Sequence, residues 1–310
     1  MNEILNLIGS FLTSAVCQAA PLTIAGIGVA YAEKAGILNI GEEGIMLAGA
    51  FTGFITAFFS GSLLLGVLGG MAGGLIISML HAFMCIHCKT NQTISGLALN
   101  YLTLGLTSFL FLLAFGKGSS LPSIAKLKSL PVPLLSKIPM IGEALFNQNI
   151  LVYLVYLIVI VSCIILYKTE WGISITAVGE NPGAADTAGI NVYGVRYLMC
   201  AVNGLWAASA AALSRWDSWA TFGGYHRRQG YIALVAVILG RRNPVGILLT
   251  AMIIGFTESL QFTLQAKGIP LPSQAFSMLP YVVAVIVLLL SFGKGYDPSA
   301  LGVPYDRNKR

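Results

Sequence analysis

Long uncharged, mostly apolar stretches alternate with short polar segments along the whole chain. A hydrocarbon core about 30 Å thick asks for roughly 20 helical residues per crossing. Ile4–Ala32 is uncharged and predicts a first helix, kinked at Pro21. Residues 33–43 then concentrate charge, Gly and Asn. Gly44–Leu80 carries no charge and is too long for one crossing, and Ser60-Gly61-Ser62 divides it into a short helix and a full one. Thr90–Gly116 and Leu151–Tyr167 predict two more crossings. Between them, residues 117–149 hold four lysines and four prolines and read as a long loop outside the hydrocarbon. Residues 168–192 are polar, Tyr197–Leu213 predicts the next helix, and residues 215–230 are polar and aromatic. Gly230–Gly240 is too short to span and runs into Arg241-Arg242-Asn243-Pro244. Val245–Ala266 and Ile269–Gly293 are the last apolar runs before a polar tail, 294–310. The sum is an all-α, polytopic membrane helix bundle in a single domain. It has about eight crossings plus one or two broken or re-entrant helices.

Composition supports that class. Charged residues are 10% of the chain and hydrophobic residues 56%, with a mean hydropathy of +0.80. A soluble fold of 310 residues has no means of hiding so much apolar surface behind a charged exterior. Gly66, Gly70 and Gly74, with Gly69 and Gly73 beside them, give a small-residue face for close helix packing. The net charge of +6 lies mainly between apolar runs and in the tail, as topology signals and headgroup contacts do, not as a nucleic-acid footprint. If crossings alternate, Lys89, Lys168, Arg196, Arg241, Arg242 and the tail share one side. The 117–149 loop, Arg215, Arg227 and Arg228 share the other, so charge alone leaves the orientation open. Five scattered cysteines imply no disulfide framework. The first apolar run is longer than a signal-peptide core and reads as retained.

Three polar interruptions carry the candidate chemistry. In EKAGILNIGEEGIMLAGA (33–50), Asn39, Glu42 and Glu43 interrupt what is otherwise continuous membrane. Irregular backbone at membrane depth needs protein or a water-filled cavity to satisfy it, and ionisable groups there are candidates for a transport path. The alternative is a plain loop between helices. In GENPGAADTAGINV (179–192), Asn181-Pro182 starts a turn, and Ala184, Ala185, Ala188 and Ile190 fit a short amphipathic helix able to dock on a partner. The alternative is an ordinary connector. QGYIALVAVILGRRNPVG (229–246) reads as a half-length helix and a break, echoing the first segment as an internal repeat would. His81, Cys85 and Cys88 share a helix face beside His87. Without a demonstrated second shell they read as buried structural groups, and no metal is assigned. Neither a Walker A loop nor a GxSxG or HExxH motif is present, so no catalysis is assigned to the chain.

Ala35–Ala50, Thr176–Val192 and Gly230–Gly246, in that order, resemble the permeases of bacterial ABC importers for nucleosides, sugars and branched-chain amino acids, nearest the nucleoside-type branch. The resemblance covers about Pro21 to Phe292. It implies a multi-pass plasma-membrane permease that binds no cofactor itself. Two cytoplasmic ATPase subunits would use ATP and Mg, a second permease chain would complete the channel, and an extracytoplasmic binding (lipo)protein would deliver a small polar solute. It also implies that 168–192 is the cytoplasmic loop engaging the ATPase, through Glu180, Asn181, Pro182, Ala185, Asp186 and Gly189, and that 117–149 lies outside. Asn39, Glu42, Glu43 and Arg228 are the candidates for the substrate path. Two departures bear on the ligand: Glu42 stands where relatives carry an apolar residue, and basic residues are displaced to Arg227 and Arg228. The most expected ligand is a nucleoside. The alternatives are riboflavin or a simple sugar and, in another class, a stand-alone secondary transporter or channel.

Overall fold

The computed structural model describes residues 2–116, 129–131, 145–215, 229–266, 273–290 and 297–307. Among the described residues it is a helical bundle with one small strand pair. Helix α1 (Asn2–Lys34) continues through Pro21 without a break in its helical assignment. After a non-helical stretch, α2 (Glu42–Ser60) begins at the two glutamates themselves. The expected division at 60–62 is present. Gly61 ends α2 in the left-handed conformation, φ 66°, which glycine adopts without steric cost, and Ser62 caps α3 (Leu63–Ile86). With 19 residues, α2 is a full span, not the short helix expected from Gly44 onward. Helix α4 (Gln92–Phe115) follows, capped by Asn91.

Within the expected external loop, Ser129–Pro131 (β1) and Asn147–Asn149 (β2) pair antiparallel. The hydroxyl of Tyr153 donates to the carbonyl of Leu130 at 2.8 Å, and the Cys17 thiol donates to Gln148 at 2.9 Å, tying the ribbon to its neighbours. Helix α5 (Ile150–Lys168) then leads to α6 (Glu170–Glu180), the short α7 (Pro182–Thr187) and the 24-residue α8 (Val192–Arg215). The half-length α9 (Gln229–Leu239) precedes α10 (Pro244–Ala266). The last apolar run is two helices, not one: α11 (Ser273–Ser277) and α12 (Leu279–Leu290), parted at Met278. Pro280, lacking an N–H, fits only the first turn of α12.

Among the described residues, six helices are long and apolar enough to cross a bilayer: Ile8–Lys34, Glu42–Ser60, Leu63–Ile86, Gln92–Phe115, Ile150–Lys168 and Pro244–Gln265. The expected number of about eight is larger than these six; α8, of 24 residues with Arg196 and Asn203 within it, and the 12-residue α12 are not among them. Helices α1 and α8 form the centre. Alanines 207, 208, 210, 211 and 212 of α8 are fully buried, so backbones approach closely there. At Gly70 an added Cβ would lie 2.8 Å from the Gly49 carbonyl and 2.9 Å from Ala212, so α2, α3 and α8 meet only because that Cβ is missing.

Candidate functional site

The segment between α1 and α2 leaves the helix at Gly36 and does not become helical again until Glu42. Its backbone groups, which a helix would have paired internally, are taken up by side chains from other helices. The Leu38 amide donates to Gln92 Oε1 at 2.7 Å, and its carbonyl accepts from His81 Nε2 at 3.2 Å. Asn39 turns its own amide oxygen onto the Gly41 N–H, 3.0 Å away. Asn100 of α4 serves both sides of the junction. Its Nδ2 donates to the Ile40 carbonyl at 2.9 Å and to Tyr231 at 3.0 Å, while its Oδ1 accepts from the Gly44 N–H at 2.7 Å. Irregular backbone inside a membrane is tolerated on this condition.

The two glutamates open α2, where the helix dipole favours negative charge. Glu43 Oε2 also accepts the Gly230 N–H of the first turn of α9 at 2.7 Å, joining two helix starts through one carboxylate. Gly230 admits that contact because it has no side chain: a Cβ there would lie 2.5 Å from the Glu43 backbone. Glu42 is fully buried and accepts from Asn203 Nδ2 of α8 at 3.0 Å.

Asn203 stands eleven residues into α8 and Asn100 eight into α4, about 16 and about 12 Å from those helix starts at 1.5 Å per residue.

Asn39, Glu42 and Glu43 are all buried in this structure, at 1%, 0% and 7% exposure. Glu42, a candidate for the substrate path, is enclosed within this chain beside Asn203 of α8. Arg228 lies outside the described residues. Asn100, Asn203 and Gln92 were missed by sequence reasoning, whereas His81 was read there as a buried structural group and is buried here. The available signal was the isolation of Asn100 and Asn203 as single amides in apolar runs; Gln92, between Asn91 and Thr93, gave none. His81 is committed to the break, with its other nitrogen 3.3 Å from the Ser95 hydroxyl. Among the described residues no three His, Cys, Asp or Glu side chains are grouped as metal ligands.

The second expected site lies at the end of the bundle where α1 stops. Asn181 caps α7, accepting from the Ala184 N–H at 3.0 Å, and Pro182 fills its first position. Gly189 leaves the helix with φ 89°. Ala185 is buried, so it anchors α7 and does not face outward. Ala184, Thr187, Ala188 and Gly189 form the exposed face. Glu180 and Asp186 are engaged by the chain's own tail: Ser299 donates to Glu180 through N–H and hydroxyl, and Arg307 pairs with Asp186 at 3.2 Å. At the same end, Arg242 pairs with Glu33 at 2.5 Å and Asp297 at 2.6 Å. The buried Arg196 donates to the Ala35 carbonyl at 3.1 Å, satisfying the end of α1.

The sequence model of the branched-chain amino acid transport system / permease component family matches residues 11–289. The chain is 35% identical to the guanosine ABC transporter permease protein NupQ of Bacillus subtilis, an alignment covering 99% of this chain and 100% of that one. It is also 35% identical to the nucleoside ABC transporter permease protein NupC of Lactococcus lactis, over 99% and 100% of the two chains. Identity to the putative glucose ABC transporter permease protein TsgC13 of Haloferax volcanii is 37%, over 85% and 80%. No solved structure matches the chain.

Proposed function

This chain belongs to the permease-component family of branched-chain amino acid transport systems, and on that premise we propose that it carries nucleosides into the cell as the membrane subunit of an ATP-driven importer. The observation that carries the path is the buried junction of α2, α8 and α9, where a broken segment is held by Asn100, Glu43 and Asn203. A junction of helix starts and side-chain-held backbone can change its pairing without unfolding a helix, which alternating access requires. The nucleoside class rests on the substrates for which the full-length relatives from Bacillus subtilis and Lactococcus lactis are named. The glucose relative from Haloferax volcanii, covered over 80% of its length, keeps a sugar as the second reading. The stand-alone carrier gives way to membership of an ABC permease family.

The end of the bundle bearing α7 faces the cytoplasm, where one of two ATPase subunits docks on Ala184, Thr187 and Ala188. Those subunits bind ATP and Mg; this chain holds no cofactor. A second permease chain completes the channel, and an extracytoplasmic binding lipoprotein delivers the solute. Movement of α7 reaches the path through α6, whose Gly179 packs against the end of α1 at Lys34.

Uptake of labelled guanosine, uridine, riboflavin and glucose in cells with the gene deleted, then restored, tests the reading. Nucleoside uptake is expected to disappear and return. Unchanged nucleoside uptake together with lost glucose or riboflavin uptake would reassign the substrate.

A further inference from the structure

Residues 297–307 form no helix, yet they are bonded to five polar segments at one end of the bundle. Asp297 reaches Arg242 in the turn between α9 and α10. Ser299 holds Glu180, and the Ala300 N–H donates to the Gly179 carbonyl at 2.9 Å, both at the end of α6. The Gly302 N–H donates to the Gly36 carbonyl at 3.2 Å, at the mouth of the re-entrant break. Arg196 holds the Val303 carbonyl at 3.3 Å. Lys89, in the turn between α3 and α4, pairs with Asp306 at 2.8 Å, and Arg307 pairs with Asp186 on α7. Ala300 and Tyr305 are buried, so the segment is packed as well as bonded.

We propose that residues 297–307 are a working part of the transport cycle, a link that ties α7 to the Arg242 turn and delivers displacement of α7 to the buried Glu43–Gly230 junction through α9. The proposal rests on the reading of α7 as the ATPase-docking helix. Three features point to a link and not to surface trimming. First, Arg242 is already matched by the buried Glu33, so neutrality does not require Asp297, whose side chain is 69% exposed. The second carboxylate adds attachment. Second, Arg241 and Arg242 both have positive φ, 52° and 53°. Non-glycine residues there are uncommon, and such strain persists where surrounding structure over-determines it. The Arg242 contacts to Glu33 and Asp297 supply that determination. Third, α9 is a rigid rod of 11 residues, about 16 Å long. It has the Arg242 turn at one end and the Gly230–Glu43 bond at the other. A pull at the turn therefore moves the helix start that Glu43 holds.

Coupling through packed elements is established only by perturbing it, and substitutions along such a network typically change coupling by 0.5–2 kcal/mol, up to roughly thirtyfold. The full transporter, assembled with its ATPase, permease and binding-protein partners, is compared as parent, Asp297→Asn, Asp297→Lys, Lys89→Asp, Asp306→Lys and the exchanged pair Lys89→Asp with Asp306→Lys. Complex in the membrane, ATP hydrolysis and nucleoside uptake per complex are measured for each. Asp297→Lys and each single member of the exchange should keep assembly and ATP hydrolysis but lose uptake per complex by roughly tenfold. Asp297→Asn should lose less, and the exchanged pair should regain uptake. Unchanged uptake, losses that merely follow the amount of complex, parallel losses of hydrolysis and uptake, or no recovery in the exchanged pair would each overturn the link. Ala184→Arg, on the exposed face of α7, is run beside them. If it leaves uptake and hydrolysis intact, the docking reading fails. If it abolishes both while the tail variants behave like the parent, only the link fails.

Discussion

Asn100 holds three groups at once: the Ile40 carbonyl, the Gly44 N–H and the Tyr231 hydroxyl. Asn100→Ala would strand backbone groups where water does not replace the bond, at about 1–3 kcal/mol for each group left unsatisfied. Thermal denaturation of the detergent-solubilised protein should show it as more damaging than Asn39→Ala, which removes one local bond within the break. The two glutamates differ in kind. Glu43→Ala removes the acceptor that joins α2 to α9 and should lower the amount of folded complex. Glu42→Gln keeps an acceptor for Asn203 Nδ2 at 3.0 Å and should assemble normally, whereas Glu42→Leu strands that amide and should not. Equal membrane yields for Glu42→Gln and Glu42→Leu would contradict this assignment. The importance of Asn39, Glu42 and Glu43 was legible because charge and amide groups stood in a break between apolar runs. Their burial was not, since the segment is held by Asn100 and Asn203, which lie 61 or more residues from Asn39 in sequence.

The elements follow from length and punctuation wherever those are unambiguous. The Ser60-Gly61-Ser62 division, the half-length α9 and the Asn181-Pro182 start of α7 all stand where glycine, proline and capping residues put them. The continuity of α2 back to Glu42 was missed. Two glutamates read as loop by polarity, yet they suit a helix start, and Asn100 caps the turn that Gly41 leaves without a side-chain cap. The small-residue face on α3 has a direct test. Gly70→Val places methyl groups where the Gly49 carbonyl and Ala212 already sit and should abolish assembly. Gly105→Val, on α4 where an added Cβ meets nothing within 4 Å, should be tolerated. Blue-native electrophoresis of membranes carrying each variant reads the difference. Comparable loss in both would mean that the close approach of α2, α3 and α8 is not required.

At the scale of the whole molecule, one end gathers the break at 35–41, the α3–α4 turn, α6, α7, the Arg242 turn and the tail. The charge pattern had grouped Lys89, Arg241, Arg242 and the tail on one side without saying which. The tail's bonds show why they group: it pairs with Lys89, Arg242 and Asp186 in turn. Cysteine at Thr187, in a chain with Cys88 replaced, should react with an impermeant maleimide only after permeabilisation. Cysteine at Ser62, at the opposite end, should react in intact cells. The reverse pattern would invert the proposed topology.

The central claim is that this chain moves a nucleoside using work delivered at α7. It is tested most directly in proteoliposomes holding the whole transporter, with labelled guanosine and binding protein on one side and ATP on the other. Accumulation against the guanosine gradient should require hydrolysable ATP and should vanish in Ala184→Arg at unchanged complex content. Guanosine accumulation that proceeds without ATP, or that survives Ala184→Arg undiminished, would contradict it.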